Sequence, residues 1–128
     1  MITKQKAREV LLRWIDTVSS RDTTAIDQMA DEIYAAGYVW HFPGVRDLPP
    51  GPAGMKQVIR NILADNPDFR ATIEDLVVEG DKVAARCTMR RTDPASGKPQ
   101  HGTNLDISRF AGDKIVEEWE LISPWEDD

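Results

Sequence analysis

Cysteine is almost missing from this chain: Cys87 is the only one in 128 residues. That excludes an internal disulfide and a thiolate metal cluster, and it makes a reducing cytoplasm the expected compartment. Histidine is nearly as scarce. His41 and His101 lie sixty positions apart, so a histidine-rich metal centre is excluded and no metal is expected; a mixed carboxylate site has no signal of its own. No apolar run approaches the ~20 residues of a membrane span, and Met1-Ile2-Thr3-Lys4-Gln5-Lys6 lacks the apolar core of a signal peptide. Positive charge is also short. Sixteen Lys and Arg face 22 Asp and Glu, for a net charge of −6, and Arg90-Arg91 is the only adjacent pair of arginines. Neither a nucleic acid nor a membrane is therefore an expected partner.

What remains is the composition of a globular chain, 41% hydrophobic and 30% charged, long enough to bury a core of its own as one domain over residues 1–128. Val10, Leu11, Trp14, Ile15 and Val18 recur at helical spacing, which predicts a helix from Thr3 to about Ser19. Asp22, Thr23 or Thr24 can cap a second helix with Ile26, Met29, Ala30 and Ile33 on its inner face. Gly37 is expected to end it, with a short aromatic strand at Tyr38–Phe42. A loop rich in Pro and Gly follows. Met55, Val58, Ile59, Ile62 and Leu63 then mark a third helix, closed by Asn66-Pro67.

From Phe69 the periodicity becomes that of strands: Phe69–Glu79, Lys82–Thr92, Pro99–Phe110 and Lys114–Ser123, with Gly80-Asp81 as a hairpin turn. Trp125 and the acidic tail are expected to fray unless Trp125 docks back. The last two strands carry the informative pattern. Side chains alternate along a strand, so Asn104, Asp106 and Ser108 share one face while Leu105 and Ile107 share the other. Glu118 and Glu120 likewise oppose Trp119 and Leu121. Either the acidic faces meet water or they line a cavity. Three helices followed by a meander of long strands is an α+β order, and a twisted sheet that curls around its helices leaves a pocket at its open end.

In this arrangement the chain resembles the nuclear transport factor 2-like superfamily, and more closely its SnoaL-like polyketide cyclase branch. The stretches that carry the resemblance are Val39-Trp40-His41-Phe42-Pro43-Gly44, Gly51-Pro52-Ala53-Gly54-Met55-Lys56, Val77-Val78-Glu79-Gly80-Asp81-Lys82-Val83-Ala84, and Leu105-Asp106-Ile107-Ser108-Arg109-Phe110 running on to Lys114-Ile115-Val116-Glu117-Glu118-Trp119. The resemblance implies a cone-shaped, curved, antiparallel (mixed) sheet wrapped around three N-terminal helices, an α+β barrel of the cystatin-like kind.

It also implies roles. Asp106 matches the pocket aspartate that serves the cyclases as general acid/base in an intramolecular aldol closure, and that stays protonated in the similar ketosteroid isomerases. An apolar cavity would raise such a carboxyl pKa; an exposed Asp, or one paired with Arg91, is the plainer reading. His41 falls where the isomerases place their general-base carboxylate, and an imidazole there is a second proton carrier or orienting group. A hydrogen-bonded histidine at a strand end is the alternative. Arg91 is the candidate partner for a developing oxyanion. Trp14 stands where the isomerases carry an oxyanion-donating tyrosine; an indole donates but does not titrate, so packing or pocket wall fits it better. Met89, Asn104, Glu118 and Glu120 are expected to face the same cavity as Asp106, although a solvated outer face would also account for the glutamates.

A second relative offers a different chemistry. Limonene epoxide hydrolases use an Arg-x-Asp and a further carboxylate, which fall here on Arg91, Asp93 and Glu120. Asp93 precedes Pro94 at a turn, where Asp-Pro is favoured for backbone reasons. Cys87 reads as a small buried hydrophobe. An apolar small molecule is the expected ligand, with no cofactor. A homodimer through the sheet face is implied by the resemblance, with Tyr38, Trp40, Phe42, Leu105, Ile107, Trp119 and Leu121 available to build it; a non-catalytic binding or dimerisation module remains the alternative.

Overall fold

A computed structural model describes residues 1–128. Helices α1 (Lys4–Ser20) and α2 (Thr23–Ile33) are followed by strand β1 (Tyr34–His41), helix α3 (Pro52–Asp65) and strands β2 (Arg70–Glu79), β3 (Lys82–Thr92), β4 (Pro99–Ala111), β5 (Lys114–Ile122) and β6 (Glu126–Asp127). The local signals explain the helix ends. The Thr3 side chain accepts from Lys6 N at the start of α1, and Asp22 accepts from Ala25 N at the start of α2. Pro52 opens α3, where its missing N–H leaves nothing unsatisfied.

The sheet runs β1-β5-β4-β3-β2 and does not close. It is mixed: β1 lies parallel to β5, and the other long strands pair antiparallel. One face of this curved sheet packs on the helices through a core that includes Val18, Met29, Ile59, Val83, Phe110 and Ile115. The α+β fold expected from the sequence, a curved mixed sheet wrapped around three N-terminal helices, is the fold observed, with the cone left open between β1 and β2.

Two boundaries differ from expectation. The second helix stops at Ile33 rather than at Gly37, because Tyr34 already pairs with Ile115 and its ring is buried against Tyr38, centroids 4.5 Å apart. Tertiary pairing here overrides the helix preference of Ala35-Ala36. The C-terminal tail does not fray either. β6 pairs with β4, Gln100 Nε2 donates to Asp127 at 2.9 Å, and Trp125 packs on the core beneath the Arg91 guanidinium, which lies 4.7 Å from its ring centroid.

Gly51 fixes how the loop after β1 returns to α3. Its N–H donates to Tyr38 O (2.9 Å), its φ is +77°, and a Cβ added there would lie 2.4 Å from Ala36 O. Gly51→Ala is therefore expected to destabilise the protein by about 2–4 kcal/mol, read as a lower urea midpoint with an unchanged m-value. A shift of only a few tenths of a kcal/mol would show that this close approach is not required.

Candidate active site

Between the helices and the sheet lies a cavity of about 320 Å³, lined by 23 residues of which 18 are hydrophobic. Helical spacing brings Val10, Leu11, Trp14 and Ile15 of α1 and Met55, Val58 and Ile62 of α3 to one wall. The sheet supplies the other, and strand alternation decides what it presents. Asn104 and Asp106 of β4 and Glu118 and Glu120 of β5 all line the cavity, while Leu105, Ile107, Trp119 and Leu121 point to the exposed side. The acidic faces therefore turn inward.

Register places these acids against one another. Asp106 stands directly opposite Glu120, and Ser108 opposite Glu118. Like charges directly across a strand pair are unfavourable, and a low-dielectric wall sharpens the conflict. Hydrogen bonding shows how it is resolved. Glu120 accepts from the Trp40 indole N–H (2.9 Å) on one oxygen and from Asn104 Nδ2 on the other. Both partners can only donate through these atoms, which suits a carboxylate. Glu118 accepts from Tyr38 Oη (2.7 Å) and Ser108 Oγ (2.6 Å), distances typical of hydroxyls donating to an anion.

Asp106 receives nothing. Its Oδ1 is shut off from solvent and has no hydrogen-bond partner, and the same holds for Trp14 Nε1. Desolvation, then the charges of Glu118 and Glu120, push the Asp106 carboxyl up to about 9, so it holds its proton at neutral pH. Burial and the neighbouring Glu120 raise Glu118 to about 7, against the pull of its two hydroxyl donors. Burial raises Glu120 as well, opposed by Asn104 and Trp40. Tyr38 stays a neutral donor, because burial and the adjacent carboxylates push its phenol far above the usual range. The site is thus one protonated acid beside two further acids, each held by neutral donors. Cys87 also lines the cavity, and burial pushes its thiol up to about 12, which leaves it inert.

Of the sequence candidates, Trp14, Met89, Asn104, Asp106, Glu118 and Glu120 come together around this cavity. His41 does not join them. It points to the opposite side of the sheet, stacks on Trp119 with centroids 5.2 Å apart, and bonds Glu117 through Nε2 at 2.7 Å. Its expected partnership with Asp106 is therefore not formed. The reason is parity: the pocket side of β1 belongs to Tyr38 and Trp40, whose donors the buried glutamates require. Tyr38 and Trp40 are accordingly no part of the exposed sheet face, and Phe42 lines the cavity with Trp40.

Arg91 does not line the cavity either. It pairs with Gln100 in register, whereas Ala85 is the residue opposite Asp106; six residues of strand separate the two positions, about 20 Å. Its guanidinium instead bonds Asn66 Oδ1 (2.8 Å) and Gln100 Oε1 (3.0 Å) and covers Trp125, bracing two residues of the wall. Asp93 lies farther still, in the turn after β3, where it accepts from Ala95 N and Ser96 Oγ. Arg91 and Asp93 form an ion pair at 3.9 Å, but Glu120 lies in the cavity that neither of them lines, so the epoxide-hydrolase arrangement is absent. Sequence reading missed Tyr38, Trp40 and Ser108 as holders of the carboxylates. The available signal was the two-residue step of Tyr38 and Trp40, which matches that of Glu118 and Glu120 on the neighbouring strand.

Comparison with known proteins agrees with this architecture. The model of the SnoaL-like domain matches residues 11–118. Among solved structures, IdmH of Streptomyces antibioticus, a proposed polyketide cyclase, is 30% identical over 91% of each chain with a TM-score of 0.75. A proposed polyketide cyclase of Bacillus cereus is 26% identical over 89% of this chain and 72% of its own, with a TM-score of 0.71. TsrD of Streptomyces laurentii, 24% identical over 96% and 92% of the two chains, shares the fold with a TM-score of 0.77. No curated protein matches the sequence. No helix is long and apolar enough to cross a membrane. With a family model spanning most of its length, the chain belongs to the SnoaL-like family.

Proposed function

We propose that this protein closes or enolises a ring-forming carbonyl compound by acid/base catalysis, with Asp106 as the group that moves the proton. The observation that carries the reading is the Asp106 carboxyl, unpartnered inside an apolar cavity. A proton held there is available to a substrate oxygen at neutral pH, where an ordinary aspartate would be ionised. In an aldol closure the enol form of a substrate methylene attacks a carbonyl carbon. As the carbon–carbon bond forms, the carbonyl oxygen takes the Asp106 proton, and the enol O–H proton returns to the carboxylate. The carboxyl ends as it began, and the step draws on no cofactor. Similarity to IdmH at 30% identity favours ring closure of a polyketide-like substrate over other carbonyl chemistry.

The test uses the half of this chemistry that needs no knowledge of the natural substrate. With 2-tetralone in D₂O, the protein is expected to accelerate deuterium entry at the carbon next to the carbonyl, followed by NMR, and Asp106→Asn is expected to lose the acceleration. Exchange at the buffer rate with wild type, or equal exchange with the variant, would remove the basis for the proposal.

We further propose that two copies pair through the outer sheet face. Val77, Leu105, Ile107, Trp119 and Leu121 are all exposed there, between 38% and 63%, and a twofold contact lets one apolar patch cover its own copy. Leu121→Lys is expected to convert a dimer into a monomer in sedimentation velocity; a wild type that sediments as a monomer at 100-micromolar order, roughly the range where weak dimers persist, would refute the pairing.

A further inference from the structure

We infer that the cavity takes an uncharged ligand of about two fused rings carrying an oxygen acceptor, and that it rejects carboxylates and phosphates of the same size. This rests on the reading that Asp106 works inside this cavity, and it adds the class of substrate.

Charge is the first argument. Among the lining residues there is no Lys, Arg or His, while three acids are present. Arg91, the nearest candidate cation from the sequence, is engaged with Asn66, Gln100 and Trp125 outside the lining. An anionic ligand would lose its hydration and gain no counter-charge, facing Glu118 and Glu120 instead. The second argument is the pair of polar atoms left without partners. Trp14 Nε1 can only donate; it is buried and makes no well-formed hydrogen bond, although the Tyr34 hydroxyl lies near it in the same lining. Asp106 Oδ1 is in the same condition on the opposite wall. A ketone, ester or amide oxygen accepts from the indole, and the protonated carboxyl of Asp106 supplies a second donor. A protonated amine would satisfy the acids yet leave Trp14 without an acceptor.

Size is the third argument. A cavity of roughly 150 Å³ accommodates benzene, so about 320 Å³ holds about twice that. The flat faces of Trp14, Trp40, Phe42 and Phe69 in the lining suit a planar, fused-ring body.

The test is a matched panel measured by titration calorimetry at pH 7: 2-acetylnaphthalene, 2-naphthoate, 2-(aminomethyl)naphthalene and naphthalene. The ketone is expected to bind, with the carboxylate at least about tenfold weaker and the amine also weaker. In Trp14→Phe the advantage of the ketone over naphthalene should fall by roughly five- to tenfold. Circular dichroism checks that the variant folds, and the wild-type panel stands without it. A carboxylate or amine binding as tightly as the ketone overturns the inference, and so does a Trp14→Phe variant that keeps the ketone's full advantage. If either happens while tetralone exchange still depends on Asp106, the catalytic reading survives and only the substrate class falls. If no member of the panel binds and exchange is absent, both fall together.

Discussion

Asp106→Asn is expected to lower turnover by about 10³-fold, the range over which a positioned general acid acts, while leaving the fold intact. The amide has nearly the shape of the protonated carboxyl and carries no charge, so it fits the same unpartnered place beside Glu118 and Glu120. It cannot give up a proton near neutral pH. Binding of a neutral ligand should therefore persist, with the loss in kcat rather than in KM. By contrast, His41→Ala should leave kcat within about twofold of wild type, because His41 bonds Glu117 on the far side of the sheet. Equal losses in the two variants, followed by steady-state kinetics, would contradict the assignment.

The second large effect is on stability. In the unfolded chain Asp106 ionises in the ordinary aspartate range, whereas in the folded protein burial and the adjacent glutamates hold its proton up to about 9. Over that window the folded state binds more protons than the unfolded state, so unfolding becomes easier as pH rises. The stabilisation is complete below the unfolded value and disappears as pH passes through the folded one. Each unshared proton contributes a slope of about 1.4 kcal/mol per pH unit. Glu118, raised to about 7, adds to this over the lower part of the range, and Glu120, also raised by burial, acts in the same direction.

Surface carboxylates oppose this at the acid end. Asp68, Glu74 and Glu117 are held below their usual range, by Thr92, by Thr88 and Thr72, and by His41 and Arg109 respectively; their contribution is present above the unfolded values and is lost on acidification. Wild type is thus expected to be most stable near about pH 5. Between pH 6 and 8 its melting temperature should drop by about 10 °C. Asp106→Asn should flatten that decline and melt higher than wild type at pH 8. Parallel melting curves for the two proteins across pH, measured by calorimetry, would show that the carboxyl is not protonated in the folded state.

The central geometry was legible in the sequence because β4 and β5 are long and pair without interruption from Asn104–Ile122 to Arg109–Glu117, the one register shift falling beyond the site. Once Leu105, Ile107, Trp119 and Leu121 alternate with Asn104, Asp106, Glu118 and Glu120, register leaves only the choice of which face is inside, and the apolar cavity took the acids. β1 was harder to read. It is short, irregular between Tyr34 and Val39, and carries aromatics on one side with Val39 and His41 on the other, so hydrophobicity alone favoured neither face. What settled it was the demand of two buried glutamates for donors, a relation between residues eighty positions apart in sequence. Arg91 misled for a different reason. It lies on the right strand, but distance along a strand grows by about 3.3 Å per residue, and its function there is to tie Asn66 and Trp125 into the wall. The docking of the tail depends on Asp127 and Trp125 finding Gln100 and Arg91, which no local pattern encodes.

The protonation of one carboxyl underlies both the proton transfer and the pH-dependent stability, and it can be observed directly. Carbon-13 NMR titration of the aspartate side-chain carboxyls, with Asp106 assigned by its loss in Asp106→Asn, is expected to show one signal still protonated at neutral pH and titrating near 9. A signal for Asp106 that titrates near about 4, as for an ordinary aspartate, would contradict the account.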